Sequence, residues 1–168
     1  GPLGAPGPAS IKLDLTVSEQ VVRPTVLRPI SHQYPDNLPV PATVRCYGFE
    51  EVFGEKLRAM GERCRPRDLY DIVNLFRRRD MLPHADLIRS VYVEKCKTKG
   101  VPVFTFESLQ NSLSRQELEN EWQHMLGHQL PALPPFESFW DELPDLFAWL
   151  DGKLVGDQMP PVQLDQDD

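Results

Sequence analysis

The hydrophobic period of this chain changes once, at Gly48, and that change limits the folds open to it. Upstream, Ile11, Leu13, Leu15 and Val17 alternate with Lys12, Asp14, Thr16 and Ser18, the pattern of a half-buried strand with one apolar face. Val21–Val22 and Val26–Ile30 are weaker β candidates. Pro24 and Pro29 confine them to edge strands or extended links, because proline cannot donate to a ladder. After a loop over Pro35–Pro41, Thr43–Tyr47 is a further short β candidate. Downstream, Phe49, Val52, Phe53, Leu57 and Met60 recur at helical spacing and predict a helix over 48–63. Pro66 suits the first position of a second helix, where its missing N–H is no loss, and Leu69, Ile72, Val73 and Phe76 form its stripe. A third helix is predicted from Pro83 to Lys99, stopped by Gly100, with Val101–Phe106 β-like or extended after it. Ser114 and Glu117 form a capping box ahead of a stripe of Leu118, Trp122, Met125 and Leu126. Phe136–Leu150 reads as a last helical region, interrupted at Pro144. Strands first and helices afterwards predict an α+β fold rather than alternating α/β.

Four stretches follow from this. Residues 1–10 are rich in Gly, Pro, Ala and Ser, and Gly1-Pro2-Leu3-Gly4 resembles the scar of a cleaved expression tag, so they are set aside as a disordered linker. Residues 11–47 are β-rich, 48–154 helical, and 155–168 an acidic tail expected to be disordered. At 168 residues the chain suits one domain, or the larger part of one.

The net charge of -7 is unevenly spread. Between Lys56 and Arg79 eight Lys or Arg face three acids, which points to a local anion site rather than a general nucleic-acid coat. Cys46, Cys64 and Cys96 are far apart and form no CxxC or Cys/His cluster, so reduced thiols in a cytoplasmic protein are the simplest account. His124 and His128 are four apart without an HExxH, which suits a surface pair better than a metal site. No apolar run is long enough to cross a membrane.

Several residues stand out against this background. Asp14 projects from the polar face of the first strand pattern, where a carboxylate is held rigidly enough to ligate metal or act as a base; solvent-facing strand aspartates are also common. Lys56 falls within the apolar stripe of the first helix, seven after Phe49 and four after Val52. Its ammonium must snorkel to water or meet an anion, and a phosphate suits it. Glu51 and Glu55 lie one turn apart, and Arg58 follows Glu55 by three, spacings that also make ordinary helix pairs. Arg63, Arg65 and Arg67 crowd the entry to the second helix, and Asp68 in its first turn complements the helix dipole. Arg67 and Asp71 are four apart and could pair, while Asp68 and Asp71 could share a face. Capping does not explain why three arginines gather where a backbone anion site already exists.

The blocks IKLDLT, YGFEEVFGEKLRAMGER and RPRDLYDI, in that order, resemble the AbiEii/AbiGii toxin family over Ile11 to Phe76. These are nucleotidyltransferase-like proteins associated with abortive phage infection and type IV toxin–antitoxin systems. The resemblance implies a polymerase-β-type core, a sheet of a few strands followed by helices. It implies Mg²⁺ held by carboxylates, a nucleotide moved from an NTP to an acceptor (a tRNA end, another RNA or a protein), and a cognate antitoxin. On this reading Asp14 matches the third metal-binding carboxylate and Lys56 a catalytic phosphate contact. Arg63 and Arg67 are further phosphate contacts, and Glu55, Asp68 and Asp71 support them. The family's Gly-Ser or Gly-rich turn and Asp-x-Asp pair are not found upstream of Asp14. The expectation is therefore an N-terminally truncated sequence, inactive as it stands, whose activity belongs to the intact protein. The alternatives are a non-catalytic helical module that binds protein or RNA, or a purely structural helical domain.

Overall fold

Gly48 is also where the chain changes character in three dimensions. The structure, a computed structural model, describes residues 12–13, 15–16, 19–32, 42–80, 85–110 and 114–154. The readings made for 1–10, for Asp14 and for the tail over 155–168 lie outside the described residues. On the N-terminal side, β1 (Val26–Pro29) and β2 (Thr43–Cys46) pair antiparallel in the register Val26↔Cys46, Leu27↔Arg45, Arg28↔Val44 and Pro29↔Thr43. The pairing continues one step further, where the Ile30 N–H donates to the Ala42 carbonyl at 2.9 Å. Both strands of such a ribbon are edges, so Pro29 is tolerated. Leu27 and Val44 stay exposed, and the ribbon contributes no side chain to the core.

The half-buried strand expected over Ile11–Val17 is a correction. Lys12, Leu13, Leu15 and Thr16 form no strand, and Leu13 and Leu15 are 75% and 88% exposed. Alternation alone does not make a one-sided strand; it also needs a ladder partner and a layer over the apolar face.

The helical side has a plain local logic. α1 (Phe49–Arg63) starts from extended Gly48, carries Glu50 and Glu51 in its first turn, and ends with Arg63 in its last, each charge matched to the helix dipole. Cys64 ends it in the left-handed region at φ 46°, its N–H on the Met60 carbonyl at 3.0 Å. α2 (Pro66–Arg77) begins on its proline. α3 (Ala85–Lys99) stops at Gly100, whose φ of 66° suits a residue without a side chain. α4 (Phe106–Gln110) was not foreseen; Thr105 and Ser108 cap it reciprocally through their hydroxyls at 3.2 and 3.0 Å. α5 (Ser114–Leu126) presents the expected face. The last region splits at Asp141–Glu142 into α6 (Glu137–Trp140) and α7 (Leu143–Leu150). Pro144, expected to interrupt a helix, instead lies in the first turn of α7, where it removes no intrahelical bond.

α1 packs on α3 and α2, while α2 turns its other side to α5, α6 and α7. Phe53, Leu57 and Met60 meet Leu69, Ile72, Val73 and Phe76 at the centre, with Ile88, Tyr92 and Cys96 from α3. Trp149 stacks on Phe53 at 6.0 Å between ring centroids and tilts against Phe76 at 5.6 Å. The indoles of Trp122, Trp140 and Trp149, one each on α5, α6 and α7, are all buried. The Tyr92 hydroxyl accepts from the Phe104 N–H at 2.8 Å and donates to the Phe104 carbonyl at 3.3 Å, pinning the link after α3. No described helix is long and apolar enough to cross a membrane.

Gly54 sets how closely α1 and α3 approach. A Cβ there would lie 2.6 Å from Val91 Cγ1 and 3.1 Å from the Tyr92 backbone nitrogen. Gly54→Ala is therefore expected to lower the unfolding free energy by about 1–2 kcal/mol, overpacking outweighing the helix-propensity gain. A denaturant midpoint equal to or above that of the parent protein would show that α3 yields freely.

Candidate functional site

The corner between α1 and α2 gathers the charges that the sequence singled out. Cys64 and Arg65 turn the chain sharply, so the last turn of α1 faces the first turn of α2. Asp68, fully buried, accepts two hydrogen bonds from Arg63, at 2.7 Å each from Nε and Nη2. This fork-to-fork pair staples the corner. The Asp68 hydrogen bond, stronger than the opposing burial, raises the Arg63 pKa. One turn further in, Lys56 Nζ of α1 meets Asp71 Oδ2 of α2 at 2.5 Å. Both side chains are about a third exposed, at 31% and 29%, so the pair lies at the mouth of the corner rather than in the core. Asp71 thus pairs across the helices with Lys56, and not within α2 with Arg67. Arg65 and Arg67 are exposed and have no ion-pair partner among the described residues. Arg67 opens onto a shallow cleft against the end of α5.

A second charged cluster lies on the α1–α3 side. Glu51, 1% exposed, takes the Lys95 ammonium at 2.8 Å and the backbone N–H groups of Val22 and Arg23 at 3.1 and 2.9 Å. Lys95, 3% exposed, is also 3.4 Å from Glu55 and 3.7 Å from Glu19, and donates to the Gln20 carbonyl at 3.3 Å. Arg58 links Glu55, at 2.5 Å, to Glu62. The Glu55–Arg58 pair is the one its spacing predicts. The arm over residues 19–23, which leads into β1, is thereby clamped to the helical body.

Burial works to raise the Glu51 and Glu55 pKa values, but Lys95 with two backbone N–H groups, and Arg58 with Lys95, outweigh it and hold both carboxyls below the ordinary 4.5. Burial works to lower Lys95, and the two glutamates outweigh it and lift the ammonium above 10.5. Both depressed carboxyls contribute stability above their unfolded pKa of 4.5 and lose it as pH falls through the lower folded values. Lys95 contributes below 10.5 and loses its contribution as pH rises through its folded value. Urea midpoints are expected to stay level inside that window and drop at both ends. Glu51→Gln should flatten the acid limb, and an unchanged limb would move the acid sensitivity to other carboxyls.

Sequence reasoning missed Lys95, although the signal was there: it follows Val91 by four and Tyr92 by three, inside a buried stripe, the argument applied to Lys56. Asp14, the expected metal ligand and catalytic carboxylate, lies outside the described residues. Among the described residues, no group of three or more His, Cys, Asp or Glu is placed to hold a metal ion. Where Glu19, Glu51 and Glu55 converge, the Lys95 ammonium occupies the centre. The described residues therefore do not fit a Mg²⁺ site.

The corner offers one half-buried lysine fixed by a carboxylate, one stapled arginine, and two exposed arginines at a helix N-terminus, an arrangement that can receive a phosphate-rich ligand. Over residues 3–150 the chain matches the family model described as nucleotidyl transferase AbiEii toxin, type IV TA system. No curated protein and no solved structure matches it. The corner charges and the EEVFGEKLRA and RDLYD blocks fall inside the matched span, and the chain belongs to the AbiEii family of nucleotidyl transferase toxins of type IV toxin–antitoxin systems.

Proposed function

We propose that the α1–α2 corner forms the triphosphate-contacting wall of an NTP-dependent nucleotidyltransferase, with Lys56 as the group that touches phosphate. The observation that carries this reading is the Lys56–Asp71 pair at the mouth of the corner, inside the family-matched span. Asp71 accepts one N–H hydrogen bond from the ammonium and fixes the direction of the side chain. The remaining N–H donors are free for phosphate oxygens. When the nucleotidyl group passes to its acceptor, negative charge builds on the departing pyrophosphate, and a lysine already in place stabilises it without reorganising.

Arg63 takes a different role on this reading. Freeing it for phosphate would strand a fully buried Asp68, so it holds the corner while Arg65 and Arg67 remain available to anions. Glu55 supports the wall indirectly, through Arg58 and Lys95. Asp14 remains the family-based assignment for a metal-binding carboxylate. An RNA acceptor, such as a tRNA end, and a cognate antitoxin complete the proposal. Both would be met in the cytoplasm, where such toxins act on their own cell.

The test uses the protein expressed from its complete reading frame, incubated with each α-labelled ribonucleoside triphosphate, a divalent cation and total cellular RNA. Label is expected on a discrete RNA band. RNA and protein fractions that both stay unlabelled with every nucleotide would remove the transferase reading and leave a non-catalytic RNA- or protein-binding module.

A further inference from the structure

The geometry points to the cleft between the start of α2 and the end of α5 as a seat for the phosphodiester backbone of a single-stranded acceptor RNA. This rests on the transferase reading, since Arg67 lies one turn before Asp71 on the same face of α2, next to the pair assigned to the triphosphate. The cleft is open, about 610 Å³, and lined by Arg67, Gln123, His124, Gly127, His128 and Gln129, with Met125 as an apolar contact. On a chain of net charge -7, no carboxylate among the described residues lines it.

The neighbouring charges sharpen the point. Asp68 and Asp71, the acids nearest Arg67 in sequence, are engaged by Arg63 and Lys56. Three of the last four α5 carbonyls, which could repel an anion, are also taken. The Gln123 carbonyl accepts from the Gly127 N–H at 3.0 Å, Met125 from Gln129 Nε2 at 2.7 Å, and Leu126 from the Gln129 and Leu130 N–H groups at 2.9 and 3.2 Å. Glu121, three residues before His124 on α5, lies 3.5 Å from its Nδ1. What remains is a guanidinium without an ion-pair partner among the described residues, the Gln123 amide, and two exposed imidazoles, of which His128 Nε2 lies 3.3 Å from Gln129 Nε2, on an open surface. That set suits a passing strand: the guanidinium takes phosphate, the flat imidazole faces take unstacked bases, and the openness admits a polymer. A free nucleotide would favour a more enclosed pocket.

The experiment is fluorescence anisotropy of a labelled single-stranded oligoribonucleotide of about 12 nucleotides, titrated with this chain over a range of salt. The variant Arg67→Ala/His128→Ala is expected to bind about tenfold more weakly, with the salt slope reduced by about one. Arg67→Lys should recover much of the binding, and the distant exposed Lys97→Ala should match the parent protein. Both cleft residues are exposed, so an unchanged melting curve is expected for the double variant, and loss of binding without loss of fold is the supporting result. Unchanged affinity, an equal loss with Lys97→Ala, or equal Arg67-dependent binding of polyglutamate would overturn the seat, the last by showing an indiscriminate cationic patch. Lys56→Ala separates the two proposals. Arg67-dependent RNA binding with no transfer activity leaves the seat standing and removes the transferase. Lys56-dependent transfer with Arg67-independent binding removes the seat alone.

Discussion

Exchanging Lys95 for methionine is expected to lower the unfolding free energy by about 3–5 kcal/mol, the range for removing one partner of a buried ion pair. The side chains are similar in length, so the loss is the ammonium. Glu51 is then left 1% exposed with two backbone N–H groups and no countercharge, and Glu55 and Glu19 lose their shared cation. Against a total stability of about 5–15 kcal/mol the effect is large enough to populate unfolded chains. Guanidinium midpoints at constant slope would measure it. Glu51→Leu combined with Lys95→Met should recover part of the loss but not all, because Val22 and Arg23 then lose the acceptor that holds the arm. A single Lys95→Met variant within about 1 kcal/mol of the parent, the range of a solvated pair, would show that the cluster is not closed.

Lys56→Ala carries the largest expected effect on activity. In the protein from its complete reading frame, transfer should fall by about 10²–10³-fold, the cost of one donor that stabilises developing charge. Stability should change by less than about 1 kcal/mol, because the Lys56–Asp71 pair is roughly a third exposed and solvent screens it. Asp71→Asn keeps the shape and removes the countercharge, so it should reduce the rate less than loss of the lysine does. Lys56→Arg should not rescue fully, since a planar fork does not replace a compact ammonium beside Asp71. Activity that survives Lys56→Ala would move the phosphate contact elsewhere, with Arg67 next in line.

The sequence made the helices that carry this corner easy to read. The stripe from Phe49 to Met60 and the proline at 66 specify α1 and α2 locally, and the structure follows them to within a residue. Lys56 was recognisable because a charge inside an apolar stripe demands a partner. The partner itself was not, because spacing within α2 offers Arg67 for Asp71, and only the packing of α1 on α2 brings Lys56 closer. Lys95 was hidden by the same limit: Glu51 lies forty-four residues earlier and meets it only across the α1–α3 contact. α4 has five residues, too few to show a period, and its Thr105–Ser108 cap is the one local trace it leaves. The alternation at Leu13 and Leu15 failed for the converse reason, since a clear local pattern found no layer to cover it.

The burial of Trp122, Trp140 and Trp149 has a practical outcome. Ultraviolet-excited emission from the unmodified protein should shift to longer wavelength when the last three helices come apart, because every indole then meets water. Keeping one indole at a time and replacing the others with phenylalanine turns each of α5, α6 and α7 into its own optical probe. Such a set would show whether the end of α5 loosens before the rest of the body does.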